Sequence, residues 1–220
     1  MNIKNIMLNI YYNNKKYKVA STLNELKLSD YQKLPEPGED KLKYFASLLH
    51  ILGEVPYDIV LKMSASDVTN ISNAIIVMLN DTNKPLQNII NINGEKYQFE
   101  DDLSNLRFDQ FIDLAEFTDK DVDIKSLLHI IAAILYHKVI GKKKEKIRLS
   151  NIFRRKYENI LEPYDAKNVF KKSELFKEHL TMDVIYGMLL FFSHLKMIYL
   201  KNTLDFLKQT ELQKLKTNQE

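Results

Sequence analysis

The sequence contains an internal duplication, and this feature constrains the fold more than any other. The run Ser-Leu-Leu-His-Ile occurs at Ser47–Ile51 and again at Ser126–Ile130. A shift of 79 positions superimposes these two runs, and a shift of 80 aligns Tyr17 with Tyr97. The same shift of 80 aligns Leu23, Leu26, Tyr31 and Leu34 with Leu103, Leu106, Phe111 and Leu114. Because the aligned positions are mostly apolar, the pattern indicates that packing was copied, not a reactive site.

The duplication predicts two related units followed by a helical extension. Residues 1–84 form the first unit and residues 85–141 the second, each a short β-hairpin plus helices. We predict that residues 142–180 form a basic loop with short helices, and residues 181–220 a long C-terminal helix. The expected fold class is α+β and mainly helical.

Composition restricts the classes of protein that the chain can belong to. It has 220 residues, of which 45% are hydrophobic, so a sizeable core can form. The absence of Cys excludes disulfides and thiolate chemistry and fits a reducing cytoplasm, or a particle assembled there. The longest apolar run, Val184–Leu195, is too short to span a bilayer, and we predict no N-terminal signal.

Two hairpins are predicted, one at the start of each unit. Asn93-Gly94 is a strong hairpin signal because both residues tolerate positive φ, and Asn13-Asn14 is a weaker version of it. The predicted strand pairs are Leu8–Tyr12 with Lys16–Ala20, and Ile89–Asn93 with Lys96–Glu100.

A short helix is predicted after each hairpin. Ser29 is placed as the N-cap of the first, with Gln32 at the capping-box position, and Asp109 as the N-cap of the second. The predicted core stripes of these helices are Leu28, Tyr31 and Leu34 in the first unit, and Phe108, Phe111 and Leu114 in the second.

Apolar periodicity and breakers predict the remaining elements. Four helices are expected at Lys41–Leu52, Pro56–Lys62, Asp67–Leu79 (capped by Ser66 or Asp67) and Ile124–Ile140, the last ended by Gly141. A charged loop at Lys142–Arg148 is followed by short helices at Asn151–Ile160 and Asp165–Phe170, and by a helix at Thr181–Leu215 with Thr181 as its cap.

Residues typical of catalytic or metal sites do not form a recognisable pattern. No two of the five His lie four residues apart, which is the spacing of a His-x-x-x-His chelating pair on a helix. The acids Glu100, Asp101 and Asp102 are interpreted as a solvated turn near a helix N-terminus. Five Gly, all far apart, exclude a glycine-rich phosphate loop. We therefore predict no catalytic residue, no cofactor and no metal site, and expect a protein that is not an enzyme.

A basic cluster is the one charged surface that the sequence singles out. Three interpretations stay open: a solvated loop, a sequence-nonspecific contact with nucleic-acid phosphates, and a contact with an acidic protein partner. The candidate contact residues are Lys142, Lys143, Lys144, Lys146, Arg148, Arg154, Arg155 and Lys156.

Three segments resemble a family of small proteins from the structural gene blocks of crAss-like and related Bacteroidetes bacteriophages. They are Leu23-Asn-Glu-Leu-Lys-Leu-Ser-Asp-Tyr-Gln-Lys-Leu34; Tyr97-Gln-Phe99 with Leu106-Arg-Phe-Asp-Gln-Phe-Ile-Asp-Leu114; and His129-Ile-Ile-Ala-Ala-Ile-Leu-Tyr136 with Tyr157 and Tyr164. The resemblance covers roughly residues 20–200 and implies no catalytic residues.

The resemblance implies a virion or assembly role. We expect a virion-associated structural or cargo protein carried in the capsid or tail barrel, assembled in the host cytoplasm and acting through contacts with portal, capsid or tail components. The alternatives are a tail assembly chaperone and a nonspecific nucleic-acid-binding accessory protein. The basic segment is a candidate contact for packaged DNA, and the C-terminal helix a candidate surface for oligomerisation.

Overall fold

The computed structural model describes residues 8–12, 15–38, 40–100, 106–116, 123–144 and 157–193. Within these ranges the chain forms eight helices and two small antiparallel sheets, which confirms the predicted mainly helical α+β class. The strands are β1 (Leu8–Tyr12), β2 (Lys15–Val19), β3 (Ile89–Ile92), β4 (Glu95–Phe99), β5 (Tyr136–Lys144) and β6 (Tyr157–Leu161). The helices are α1 (Leu28–Lys33), α2 (Lys41–Leu52), α3 (Tyr57–Val60), α4 (Ala65–Leu79), α5 (Phe108–Glu116), α6 (Ile124–Leu135), α7 (Ala166–His179) and α8 (residues 182–193).

Both predicted hairpins are confirmed, as β1–β2 and β3–β4. Ile10 pairs with Tyr17 and Ile90 with Tyr97, and all four side chains are buried. The second turn uses Asn93-Gly94, with φ of 52° and 82°, a conformation that Asn tolerates and Gly adopts without steric cost. The turn between β1 and β2 lies outside the described residues.

The second hairpin is extended into a four-stranded sheet of order β3-β4-β5-β6, which sequence reasoning did not predict. The expected helix Ile124–Ile140 is wrong beyond Leu135, because Tyr136 begins β5 and pairs with Phe99. Periodicity could not separate the two structures here, because a continuous apolar run suits a buried helix and a buried strand equally. Consequently Gly141 lies inside β5 and does not end a helix.

Two further predictions after Gly141 are wrong where the structure describes them, and their remaining residues, 145–148 and 151–156, lie outside the described ranges. Residues Lys142–Lys144 belong to β5 instead of a charged loop, and Tyr157–Leu161 forms β6 instead of the end of a helix. The ladder between β5 and β6 carries an irregularity between Val139 and Gly141, consistent with a bulge. These strands form because residues far apart in sequence pair with each other, and local strand propensity does not predict such pairing.

The N-caps of α1, α4 and α5 differ from the predicted ones. Ser29 is the second residue of α1, which has no side-chain cap, and Asp109 is the second residue of α5. Helix α4 begins two residues earlier than predicted and is capped by Ser64. Side chains of Asp40, Asp123 and Asp165 cap α2, α6 and α7 by accepting backbone N–H groups.

The observed lengths of the other helices follow the predictions to different degrees. Helix α2 has the predicted bounds, α3 is shorter than the predicted Pro56–Lys62, and α7 extends nine residues beyond Phe170, to His179. Thr181 precedes α8 and its hydroxyl donates to Asp183. The predicted continuation of α8 to Leu215 lies outside the described residues.

Residues near the start of α1 are joined to the segment between α7 and α8. The amide of Leu28 donates to the Leu180 carbonyl at 2.8 Å, and the amide of Met182 donates to the Leu26 carbonyl at 2.9 Å. Lys27 and Thr181 form an isolated β-bridge beside these bonds. The chain thereby covers α1 with residues from far along the sequence.

The order hairpin, short helix, longer helix occurs twice, first in β1–β2, α1 and α2 and then in β3–β4, α5 and α6. The repeated Ser-Leu-Leu-His-Ile run lies on α2 and on α6. Buried side chains from both stretches belong to one hydrophobic cluster. The division of the chain after residue 84 stays a prediction.

Candidate functional site

The basic segment starts on an antiparallel strand. The side chains of Lys142 and Lys143 on β5 are exposed, and Lys144 is the last residue of that strand. Because side chains alternate along a strand, Lys142 and Lys143 lie on opposite faces of the sheet. Lys146, Arg148, Arg154, Arg155 and Lys156 lie outside the described residues.

Strand pairing places acids beside two lysines of this sheet. Lys143 lies opposite Glu158, and their Nζ and Oε2 atoms are 3.1 Å apart. Lys138 forms a similar pair with Glu95, and this hydrogen bond lowers the pKa of Glu95. Exposed pairs of this kind contribute little to stability, but they reduce the local positive charge. Lys142 instead faces Asn159 across the ladder.

The histidines at equivalent repeat positions have different surroundings. His50 is exposed, and its Nδ1 lies 2.8 Å from the Val55 carbonyl, to which it donates. His129 is buried, with its Nδ1 3.2 Å from Nε2 of Gln32, and burial lowers its pKa. In the described ranges no three potential ligands among His, Cys, Asp and Glu come together. His194 lies outside those ranges.

A buried polar network holds the junction between α6 and β5. The Gln110 amide donates to the Ile134 carbonyl at 2.9 Å, and its nitrogen lies 3.1 Å from Nε2 of His137. Nδ1 of His137 lies 3.2 Å from the Glu162 carbonyl. These contacts are satisfied together when His137 is neutral, donates through Nδ1 and accepts at Nε2. Burial agrees, because it lowers the pKa of His137 to about 4.

Lys172 completes this junction from α7. Its Nζ donates to the Tyr136 carbonyl at 3.0 Å, and burial lowers its pKa to about 8. The Leu135 carbonyl accepts from the Glu100 amide at 2.9 Å. Carbonyl groups at the end of α6 are therefore satisfied by side chains and by a neighbouring strand, which allows the chain to continue directly as β5. The side-chain nitrogens of Gln110, His137 and Lys172 all bond to protein, which is typical of a structural network.

Helix α5 carries strips of different chemistry. Gln110 and Leu114 are buried against the rest of the molecule. Phe108 (79% exposed), Phe111 (51%) and Ile112 (47%) face solvent, and at 3.6 residues per turn they occupy roughly a third of the circumference. We call these three residues the α5 stripe. The predicted core stripe was wrong for both phenylalanines, because bonding of Gln110 at the α6–β5 junction fixes the rotation of the helix.

One flank of the α5 stripe is acidic and anchored. Asp109, Asp113 and Glu116 follow one side of the helix. The Arg107 guanidinium donates to both carboxylate oxygens of Asp109, at 2.7 and 3.1 Å, and to the Tyr164 carbonyl at 3.2 Å. The Tyr164 hydroxyl donates to Asp113, and burial together with this hydrogen bond raises the pKa of Tyr164. These contacts fix α5 in place, so its exposed stripe has a defined orientation.

The internal duplication supplies a direct comparison for the α5 stripe. Tyr31 of α1 is equivalent to Phe111, and its ring meets the Tyr186 ring edge-on at 6.4 Å between centroids. Leu28, equivalent to Phe108, is fully buried next to Leu180. The first copy of this helix is thus covered by the region where α7 meets α8, whereas the second copy presents the equivalent positions to solvent.

A small open cleft lies beside the edge strand β3. Its volume is about 290 Å³, and Gln87, Asn91, His179 and Thr181 contribute its polar lining. Gln87 donates to one carboxylate oxygen of Asp183 at 2.7 Å, and Thr181 to the other at 2.5 Å. Two of the polar lining residues are thus already bonded to Asp183, and the volume lies at the lower limit for small-molecule sites.

Comparison of the chain with known proteins found no matching family model, no matching curated protein and no matching solved structure. No helix in the described part of the chain combines the length and the apolar character needed to cross a bilayer.

Sequence reasoning missed the α5 stripe and the polar junction. A signal for the stripe was present, since Phe108, Phe111 and Ile112 fall on one strip of a helical projection, apart from Leu114. No comparable signal existed for the junction, because Gln110, His137 and Lys172 are far apart in sequence and meet through tertiary structure.

Proposed function

We propose that this chain is a non-enzymatic, virion-associated structural or cargo protein of a crAss-like or related bacteriophage, working through protein–protein contacts. The observation that carries the proposal is the α5 stripe. Two phenylalanines and an isoleucine are exposed side by side on a helix that is otherwise anchored. The sequence resemblance to phage structural-block proteins supplies the biological setting.

The chemistry of the α5 stripe suits a protein partner. Exposed aromatic groups of this size bury on the order of 150–250 Å² each when covered, and they are enriched at the centre of protein interfaces. The adjoining acids Asp109, Asp113 and Glu116 provide a polar rim. Because α5 is already held by Arg107 and Tyr164, docking there requires little ordering of the helix, which favours affinity.

Mass spectrometry of purified mature particles tests the proposed role. We expect the chain in these particles at a copy number comparable to that of other structural components. The matched control is the same measurement on lysate from infected cells. Presence in the lysate together with absence from mature particles would contradict the proposal and support the tail assembly chaperone instead.

A second candidate function, nonspecific nucleic-acid binding, is favoured by one observation. Lys142 is exposed on β5 and faces a neutral amide, Asn159, across the ladder. Among the described residues Lys142 forms no ion pair, so it can reach a phosphate directly, whereas Lys143 would have to leave Glu158. The packaged genome would supply such phosphates inside a particle.

A further inference from the structure

We propose that the α5 stripe is covered by residues 194–220 of a second copy of this chain. The inference rests on the proposed function, because it names a partner for a surface already assigned to protein contact. Three features support this occupant: the covering of the equivalent helix α1, the charge of the α5 flank, and the sheet that separates α5 from α8.

The first copy of the repeated helix shows which kind of segment fits this face. Helix α1 is covered by Leu180, which lies between α7 and α8, and by the ring of Tyr186 on α8. The chain thus already recognises one of these two helices with residues from its C-terminal part. The C-terminal residues 194–220 carry apolar groups at Leu195, Ile198 and Leu204, which are the kind of side chain that the second helix needs.

Charge complementarity also favours this segment. The α5 flank holds three acids, Asp109, Asp113 and Glu116, against one base, Arg107. Residues 194–220 hold five lysines against three acids: Lys196, Lys201, Lys208, Lys214 and Lys216 against Asp205, Glu211 and Glu220. Apolar side chains accompanied by lysines match an apolar stripe with an acidic border, and wrong pairings of like charge are disfavoured.

The position of α8 favours a second copy over the same copy. Phe191, near the end of the described part of α8, packs on Phe99 at 5.3 Å between ring centroids. Helix α5 approaches the sheet through Gln110 and His137. Since Phe99 pairs with Tyr136, the residue before His137, these contacts lie on opposite faces of the sheet. The same copy's segment would have to pass around the sheet edge, whereas a second copy's segment would not.

Sedimentation velocity of the full chain over a concentration series tests this inference. We expect concentration-dependent self-association, weakened about tenfold or more by Phe111→Asp, since a charge would replace an interface aromatic. The matched control is Leu42→Asp, which places the same change at a position on α2 that is 62% exposed, and we expect it to associate like the unaltered chain. Circular dichroism of both variants tests whether they fold like the unaltered chain.

A charge reversal identifies the occupant. Glu116→Lys should weaken association, and adding Lys201→Glu with Lys208→Glu to the same chain should restore it. The inference would be overturned if the chain stays monomeric or if Phe111→Asp leaves association unchanged. It would also be overturned if Leu42→Asp weakens association equally, or if the charge reversal fails to restore association. None of these results affects detection of the chain in mature particles, so failure of the inference is distinguishable from failure of the proposed function.

Discussion

At the scale of single residues, His137 shows how burial and hydrogen bonding select one protonation state. Its ring donates to the Glu162 carbonyl and accepts from Gln110, while Lys172 lies close enough to disfavour a second positive charge. A protonated ring would direct an N–H group at the Gln110 amide, which already uses its other N–H on Ile134. The fold therefore binds fewer protons at this site than the unfolded chain does.

Because of His137, the free energy of unfolding is predicted to decrease as the pH is lowered. Its pKa is lowered from 6.5 to about 4, so the stabilisation is fully present above pH 6.5 and is lost as the pH falls toward 4. A shift of this size corresponds to about 3 kcal/mol in the free energy of unfolding. Urea denaturation at a series of pH values measures this loss.

The control for this prediction is His137→Gln, which retains a donor and an acceptor but cannot titrate. Its free energy of unfolding should depend less on pH between 4 and 6.5 than that of the unaltered chain. A remaining dependence is expected from His129, whose pKa is also lowered by burial. Identical pH dependence in both proteins would show that His137 is not the titrating group.

At the scale of elements, close packing between α8 and the segment before β3 requires a glycine. A Cβ atom added at Gly187 would lie 2.4 Å from the Pro85 carbonyl oxygen, which is closer than van der Waals contact permits. Pro85, the first residue of the predicted second unit, thus packs against α8.

Gly187→Ala is predicted to destabilise the protein by about 1–3 kcal/mol, because the clash with backbone exceeds the gain in helix propensity. Chemical denaturation measures the change. Gly38→Ala is the matched control, since a Cβ there meets nothing within 4 Å, and its effect should stay within about 0.5 kcal/mol. Equal effects of the two substitutions would contradict the packing argument.

The elements that the sequence predicted correctly are those specified locally. Asn93-Gly94 determines its own turn, and Lys41–Leu52 has both a periodic apolar pattern and a capping Asp40. The elements that were missed depend on distant partners. Strand β5 exists because Phe99 and Gln98 offer a ladder to Tyr136 and His137, and no property of residues 136–144 alone reveals this. The α5 stripe was misassigned for a similar reason, because a tertiary contact of Gln110 sets the helix rotation.

At the scale of the whole molecule, nucleic-acid binding would have to arise from a local surface, since the net charge is only +3. For this candidate we expect duplex DNA to bind at low salt and to be released steeply as salt rises. Lys142→Glu should reduce the dependence of affinity on salt by about one counterion, because one phosphate contact is lost. Fluorescence anisotropy across a salt series measures this.

Lys167→Glu, an equal change of charge at an exposed position on α7, separates local contact from net charge. We expect it to affect DNA affinity less than Lys142→Glu does. Absence of binding at low salt would remove nucleic-acid binding as a candidate function. Equal effects of the two substitutions would instead show that Lys142 is not a local contact for DNA.

Helix α6 ends at Leu135 and strand β5 begins at Tyr136, so no linker residue separates them. A residue inserted there would move every following side chain of β5 to the opposite face of the sheet. The fully buried Tyr136 and its neighbour His137, which bonds to Gln110, would then exchange faces. Homologous sequences should therefore show no insertions or deletions between the positions of Leu135 and Tyr136, even where surface turns tolerate them.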